Sequence, residues 1–326
     1  MSDIKNIDSL VTYLNNVHNI KTNNTIDKQA LMNIGYYHGY KGYRFIKTPS
    51  NPIPYSNFTE LLAVNKFDIN LKALFYPHIM FIETAIKNYV LESILDTATT
   101  DCFNIIFETI LTDYKNHKVS SKDYKISMKR RLNLRNQIFS VLTRDYNNNK
   151  PIIQHFYHKD KPVPIWAIFE VISLGEFGNF IACINPLVKN KISISLNLNK
   201  SCDANNKLIE SIIYQLKDLR NSIAHNNVIF DTRFKSNKAN KSLITSLQLD
   251  TKINNISFDT LVDYLILIIH LLKNLNTNSN ELLKIVDDFQ CLLDNFRGEI
   301  PISIYSQIFY TDTRNKLTLL KEFASK

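Results

Sequence analysis

Every strong apolar segment of this chain repeats with a period near 3.6, the spacing of one face of a helix. Only six glycines punctuate the 326 residues, so few tight hairpin turns are available and long periodic segments run uninterrupted. An all-α fold follows. The pattern predicts helices over 4–17, 25–34, 58–74, 77–95, 101–112, 163–180, 258–275, 280–296 and 316–323, and one with a buried face beginning at Lys207; residues 187–195 close the region after 163–180. Gly175 and Gly178 break the 163–180 helix and mark a close approach to a neighbour. Residues 18–24, 196–206 and 233–255 read as polar connections, and 243–249 and 300–309 as extended runs. On this reading the chain divides into N-terminal helices with a Tyr/Gly-rich loop (1–56), a helical core (57–232) with a basic insert (114–161), and a C-terminal helical extension (233–326).

Hydrophobic residues make up 44% of the chain and charged ones 21%, a balance that excludes a disordered chain. The most apolar run, 261–272, is too short to cross a bilayer and carries Asp263 and His270, so it reads as a core helix. The first residues form a short amphipathic helix rather than an export signal. Cys102, Cys183, Cys202 and Cys291 stand far apart with no Cys-x-x-Cys pair, which argues against structural zinc or a disulfide framework. The expectation is a cytoplasmic protein without metal or cofactor. Its formal charge of +9 points to a polyanionic partner, nucleic acid first and an anionic membrane surface second.

The excess charge is concentrated. Between residues 114 and 161, twelve Lys and Arg face only Asp123, Asp145 and Asp160, so this window alone carries as much charge as the whole chain. Tyr114, Tyr124, Tyr146 and Tyr157 interleave with it. Lys122, Lys125, Lys129, Arg130, Arg131 and Arg135 are its candidate phosphate contacts, the alternative being an ordinary solvated face. A second cluster lies at 34–55, where three glycines, three prolines and five tyrosines gather. It reads as a folded aromatic loop. Tyr36, Tyr37 and Tyr43 beside His38, Lys41 and Arg44 would suit stacking on single-stranded RNA, or else the rings plug the second helix onto the body.

The helix that begins at Lys207 ends in Arg220-Asn221-Ser-Ile-Ala-His225. At about 100° per residue, Asn221 and His225 share a face while Arg220 sits roughly 140° away from His225. Arg must then reach around, or serve a neighbouring copy, which suggests a composite site across a two-fold dimer. Without a metal, these residue types support one chemistry well. One imidazole takes the proton of a ribose 2′-OH and another returns one to the 5′-oxygen, giving a bell-shaped pH dependence. The guanidinium holds the phosphate between them. The alternative is cationic side chains favoured at a helix C-terminus.

The same residues resemble a known family. Arg220-Asn221-x-x-x-His225 matches the Arg-x4-6-His signature of HEPN ribonucleases. Tyr36, Tyr37, Gly42, Tyr43 and Phe45 resemble a segment of the Abi_2 group of abortive-infection proteins, the AbiD/AbiF type. So do Phe67, Asp68, Leu71 and Glu83, and the 164–180 stretch with its Pro164-x-Trp166. The resemblance covers about residues 25–232. It implies an all-helical HEPN bundle, working as a homodimer that joins two such motifs into one endoribonuclease site. It also implies a phage-defence toxin restrained by a structured noncoding RNA. Asn226 and Asn227 follow the motif where relatives often carry His-His or His-Gly, which leaves one motif histidine per chain.

The expected catalytic residues are therefore Arg220, Asn221 and His225. Glu83 and Asp68, each at i, i+4 from a lysine, are expected to brace Arg220 or else to form solvated pairs with Lys87 and Lys72. A non-catalytic RNA-binding regulator or ribonucleoprotein scaffold is the competing reading.

Overall fold

The computed structural model describes residues 6–23, 25–236 and 238–326. Ile4 and Lys5 of the expected first helix lie outside these, as do Asn24 and Asn237 in the polar connections. The helices are α1 (Ile7–His18), α2 (Ile26–Ile34), α3 (Phe58–Ala98), α4 (Phe103–Thr109), α5 (Lys122–Asn147), α6 (Pro151–Tyr157), α7 (Ile165–Val171) and α8 (Leu174–Cys183). They continue with α9 (Pro186–Ser195), α10 (Leu208–Ala224), α11 (Lys241–Thr251), α12 (Leu261–Asn274), α13 (Ser279–Glu299), α14 (Ile302–Ile308) and α15 (Thr313–Ser325). Only isolated β-bridges occur among the described residues, so the fold is all-α as expected.

Two compact units are assembled from segments distant in sequence. The first comprises Met1–Ile79, Asp218–Lys238 and Thr251–Lys326; the second comprises Met80–Lys217 and Ala239–Asp250. In the first unit α12 is buried on every side from Leu261 to Leu272, as its composition predicts for a central helix. Its buried Asp263 is matched by Lys316 of α15 at 2.9 Å and accepts the backbone N–H groups of Ser257 and Phe258. Phe67 stacks on Phe296 at 4.1 Å, and Phe75 meets Phe289, which packs α13 against the first half of α3. The second unit is cored by Leu134 and Ile138 of α5, Phe169 of α7, and Phe177 and Phe180 of α8.

The structure departs from the sequence pattern at several places. Residues 58–98 form one helix with Pro77 inside it, not two. The missing N–H and ring clash cost about 3 kcal/mol, but Phe75, Ile79, Ile82 and Ile86 continue one fully buried stripe through the proline. The expected helix 163–180 is split at Ser173 rather than at a glycine. Ser173 and Glu176 close a reciprocal capping box that starts α8 afresh. Gly178 does permit a close approach: a Cβ there would stand 3.0 Å from the Tyr214 ring.

The expected extended runs at 243–249 and 300–309 are helices. In the first, buried Leu243 and Leu247 are one helical turn apart while Leu249 is exposed; in the second, buried Ile304 and Ile308 are likewise a turn apart while Ile302 is exposed. The apparent alternation came from the exposed member of each pair. The Tyr/Gly loop is also helical at its start, with a π-helical turn over Gly35–Lys41 that runs on directly from α2.

Candidate functional site

The end of α10 is shaped by its own C-terminal turn. His225 donates its N–H to the Asn221 carbonyl at 3.0 Å, and the N–H groups of Asn226 and Asn227 return to Ile223 and Ser222. Asn226 sits at φ 52°, so this is a Schellman turn with Asn226 as its left-handed residue. Asparagine tolerates that conformation better than other residues that carry a Cβ, which gives Asn226 a backbone role. The turn leaves His225 exposed, with half-buried Asn221 one turn before it. Arg220 donates from Nη1 to Asn221 Oδ1 at 3.3 Å, so the arginine and asparagine act as a connected pair.

Side chains of α3 hold this turn from the first unit's interior. Lys72 Nζ donates to Asn226 Oδ1 at 3.0 Å and pairs with Asp68 at 2.7 Å. Asp68 is fully buried. One of its oxygens accepts the N–H groups of Ile229 and Phe230, at 2.8 and 2.7 Å; the other accepts Tyr43 Oη at 2.9 Å beside Lys72. Burial, then the charge and hydrogen bond of Asp68, push the Tyr43 phenol well above its ordinary range, so it remains a donor. The Tyr43 ring also stacks on Phe230 at 6.0 Å.

Asp68 therefore spends its carboxylate on the loop that follows His225 and not on Arg220, a correction to its own part in the expected brace. Nor is its pair with Lys72 a solvated one. Glu83 lies in the second unit, where it pairs with Lys87 at 3.2 Å.

Arg233, which sequence reasoning missed, finishes the framework. It pairs with Asp231 at 2.7 Å, donates to the carbonyls of Gly42 and Phe45, and covers the Phe45 ring at 4.1 Å. The loop after His225 is thus tied to the π-helical turn. Between them lies a cleft of about 530 Å³ lined by Tyr37, His38, Lys41, Asn226, Asn227 and Arg233 among others.

The expected RNA contacts divide by burial. Tyr37, His38, Lys41 and Arg44 are exposed and Tyr36 is half-buried, but Tyr43 is buried and engaged with Asp68. In the second unit Lys122, Lys125, Lys129 and Arg135 are exposed along α5, while Arg130 faces Glu210 at 3.8 Å. Arg131 is buried. It donates to the Leu111 and Phe107 carbonyls at 2.9 and 2.8 Å, and its guanidinium lies 3.7 Å from the Phe107 ring centre. It clamps α5 to α4 and is no part of an exposed phosphate face. Among the described residues no cluster of three or more His, Cys, Asp or Glu side chains is placed to hold a metal ion, and no helix is long and apolar enough to cross a membrane.

A family model described as Abi-like protein matches residues 29–231, more than half of the chain. The match takes in the π-helical turn, Asp68, and α10 with the turn after it, and leaves out α11 to α15. No curated protein and no solved structure matches the chain.

Proposed function

The chain belongs to the Abi-like family, which points to abortive infection as a defence against phage, and on that premise we propose that it is a metal-independent endoribonuclease acting through Arg220, Asn221 and His225. The observation that carries this reading is the C-terminal turn of α10. An exposed histidine needs no fixed backbone to be soluble, yet here a Schellman turn, the Lys72–Asn226 bond and the Asp68 clamp all fix the turn that bears His225. Pre-organisation of this kind is what a catalytic imidazole requires.

In the proposed reaction the ribose 2′-oxygen attacks the adjacent phosphorus as an imidazole takes its proton. The bond to the 5′-oxygen breaks and that oxygen is protonated, leaving a 2′,3′-cyclic phosphate and a 5′-hydroxyl. Arg220 holds the phosphate and offsets the charge that grows on it, while Asn221 orients Arg220. With one motif histidine per chain, the second imidazole comes from a second copy, so the working form is a homodimer. The exposed lysines of α5 support a further part of the reading, in which a structured noncoding RNA binds the protein and restrains it.

The test is incubation of the purified protein with labelled RNA in EDTA. Products ending in 2′,3′-cyclic phosphate, lost in His225→Ala while RNA still binds, are expected. Undiminished cutting by His225→Ala would sink the mechanism. RNA binding by a wild-type protein that never cuts would favour the competing regulator, to which the same α5 lysines equally lend themselves.

A further inference from the structure

We propose that the cleft between the π-helical turn and the Asn226–Asn227 turn holds one unpaired nucleotide of the RNA substrate, next to the bond that is cut. This rests on the ribonuclease reading above and adds to it where the substrate sits and why it must be single-stranded. Four observations converge. The cleft, at about 530 Å³, falls within the range of roughly 300–1,000 Å³ usual for small-ligand sites. The charged residues that line it, His38, Lys41 and Arg233, are all of basic type, and no carboxylate is among them, which suits a phosphodiester.

Tyr37 is 71% exposed, a large apolar ring left in water on regular, hydrogen-bonded backbone. It is held edge-on to His38 at 5.3 Å on a π-helical turn, a form enriched at functional sites. Such a ring is a stacking platform for a base with an open face, which a base inside a duplex lacks. Among the described residues the Asn227 carboxamide makes no hydrogen bond, and Arg233 retains a spare guanidinium N–H after serving Asp231, Gly42 and Phe45. Asn227 thus has a donor and an acceptor ready for a base edge.

The walls are fixed in advance. Gly42 lets the π-helical side approach closely, since a Cβ there would stand 3.2 Å from the Val228 side chain. Asn226, which lines the cleft, is the chain neighbour of His225, its Cα about 3.8 Å away across one trans peptide. The wall of the cleft is thus one residue along the chain from His225, which is not itself among the lining residues.

The experiment uses the full chain with His225→Ala, so that binding is read without cutting. A single-stranded oligoribonucleotide carrying 4-thiouridine is crosslinked, and the modified peptide is mapped by mass spectrometry. The crosslink is expected on the segment 35–45, and Tyr37→Ala is expected to weaken single-strand binding by on the order of tenfold or more. Tyr37→Phe should restore that binding, and a fully paired duplex should compete poorly. Asn227→Ala, made with His225 intact, should shift which nucleotide is cut beside.

Crosslinks confined to α5, or Tyr37→Ala binding single strands as wild type does, would overturn the proposal even if the enzyme cuts RNA. Free mononucleotides that displace the oligonucleotide at equal concentration would overturn it too, by making the cleft a nucleotide sensor. A protein that crosslinks at 35–45 but never cuts would keep the cleft and lose the nuclease.

Discussion

Lys72 and Asn226, 154 residues apart in the chain, meet at 3.0 Å, and through that bond α3 fixes the turn that ends α10. The same lysine neutralises Asp68, which grips the two N–H groups that follow. The exposed histidine thus stands on a backbone whose geometry is set from the buried side of the first unit.

Removing either member should therefore cost stability as well as function. Asp68→Ala leaves Lys72 buried without its partner and strands the Ile229 and Phe230 N–H groups. A loss of about 3–5 kcal/mol is expected by urea denaturation. Lys72→Met keeps the volume of the side chain but leaves the carboxylate with Tyr43 and the two N–H groups alone, and should cost about 2 kcal/mol. A change under about 0.5 kcal/mol for Asp68→Ala would contradict the clamp.

The left-handed backbone at Asn226 separates two substitutions that both lose the Lys72 bond. Asn226→Gly keeps the turn, whereas Asn226→Val must adopt a positive φ with a branched Cβ. The valine variant is expected to be less stable than the glycine variant by about 1–2 kcal/mol. Equal stabilities would show that the turn relaxes. Of the two, Asn226→Gly should retain more of any RNA-cutting activity.

Charge on α5 should sort by burial. Replacing Lys122, Lys125 and Lys129 together by alanine should weaken RNA binding and flatten its salt dependence, with the melting temperature unmoved. The log–log slope should fall by about 0.7–0.9 for each phosphate that is no longer neutralised. Arg131→Ala should instead cost about 2–4 kcal/mol of stability, because the Leu111 and Phe107 carbonyls lose their donor. Lowered RNA affinity in Arg131→Ala at full stability would overturn this division.

Acid should find Asp145 in the second unit. Burial disfavours its charge, but hydrogen bonds at 2.7 Å from Arg144 and from Lys150, with their charges, hold the carboxyl below its ordinary value. The folded state therefore binds this proton less readily than the unfolded one. The contribution is complete above the unfolded carboxyl pKa, about 4, and is lost as pH falls below it toward the folded value. Asp145→Asn should be less stable than wild type at neutral pH, with the difference shrinking as pH drops below about 4. A difference independent of pH would mean that the charge is not what matters.

Features that depend on neighbours a turn or two away are written in the order of the chain. The all-α class, most helix positions, the buried α12 and the shared face of Asn221 and His225 all follow from helical spacing. Asn226 carried a signal too, since an Asn just past a helical pattern is a common left-handed terminator. Short apolar runs were not decided locally, because Ile302 with Ile304, or Leu247 with Leu249, fits a strand until burial singles out one of each pair.

The tertiary structure alone chose the distant partners. Asp68 takes Tyr43 from 25 residues away and Phe230 from 162, and nothing in the Asp68–Lys72 spacing distinguishes that clamp from a surface pair. Arg131 and Lys129 look alike in a basic window, yet one is sealed beneath α4 and the other faces water. Both outcomes turn on which surfaces lose water when the chain closes. Desolvation is a property of the packed whole, so periodicity places the catalytic candidates and packing alone decides what holds them.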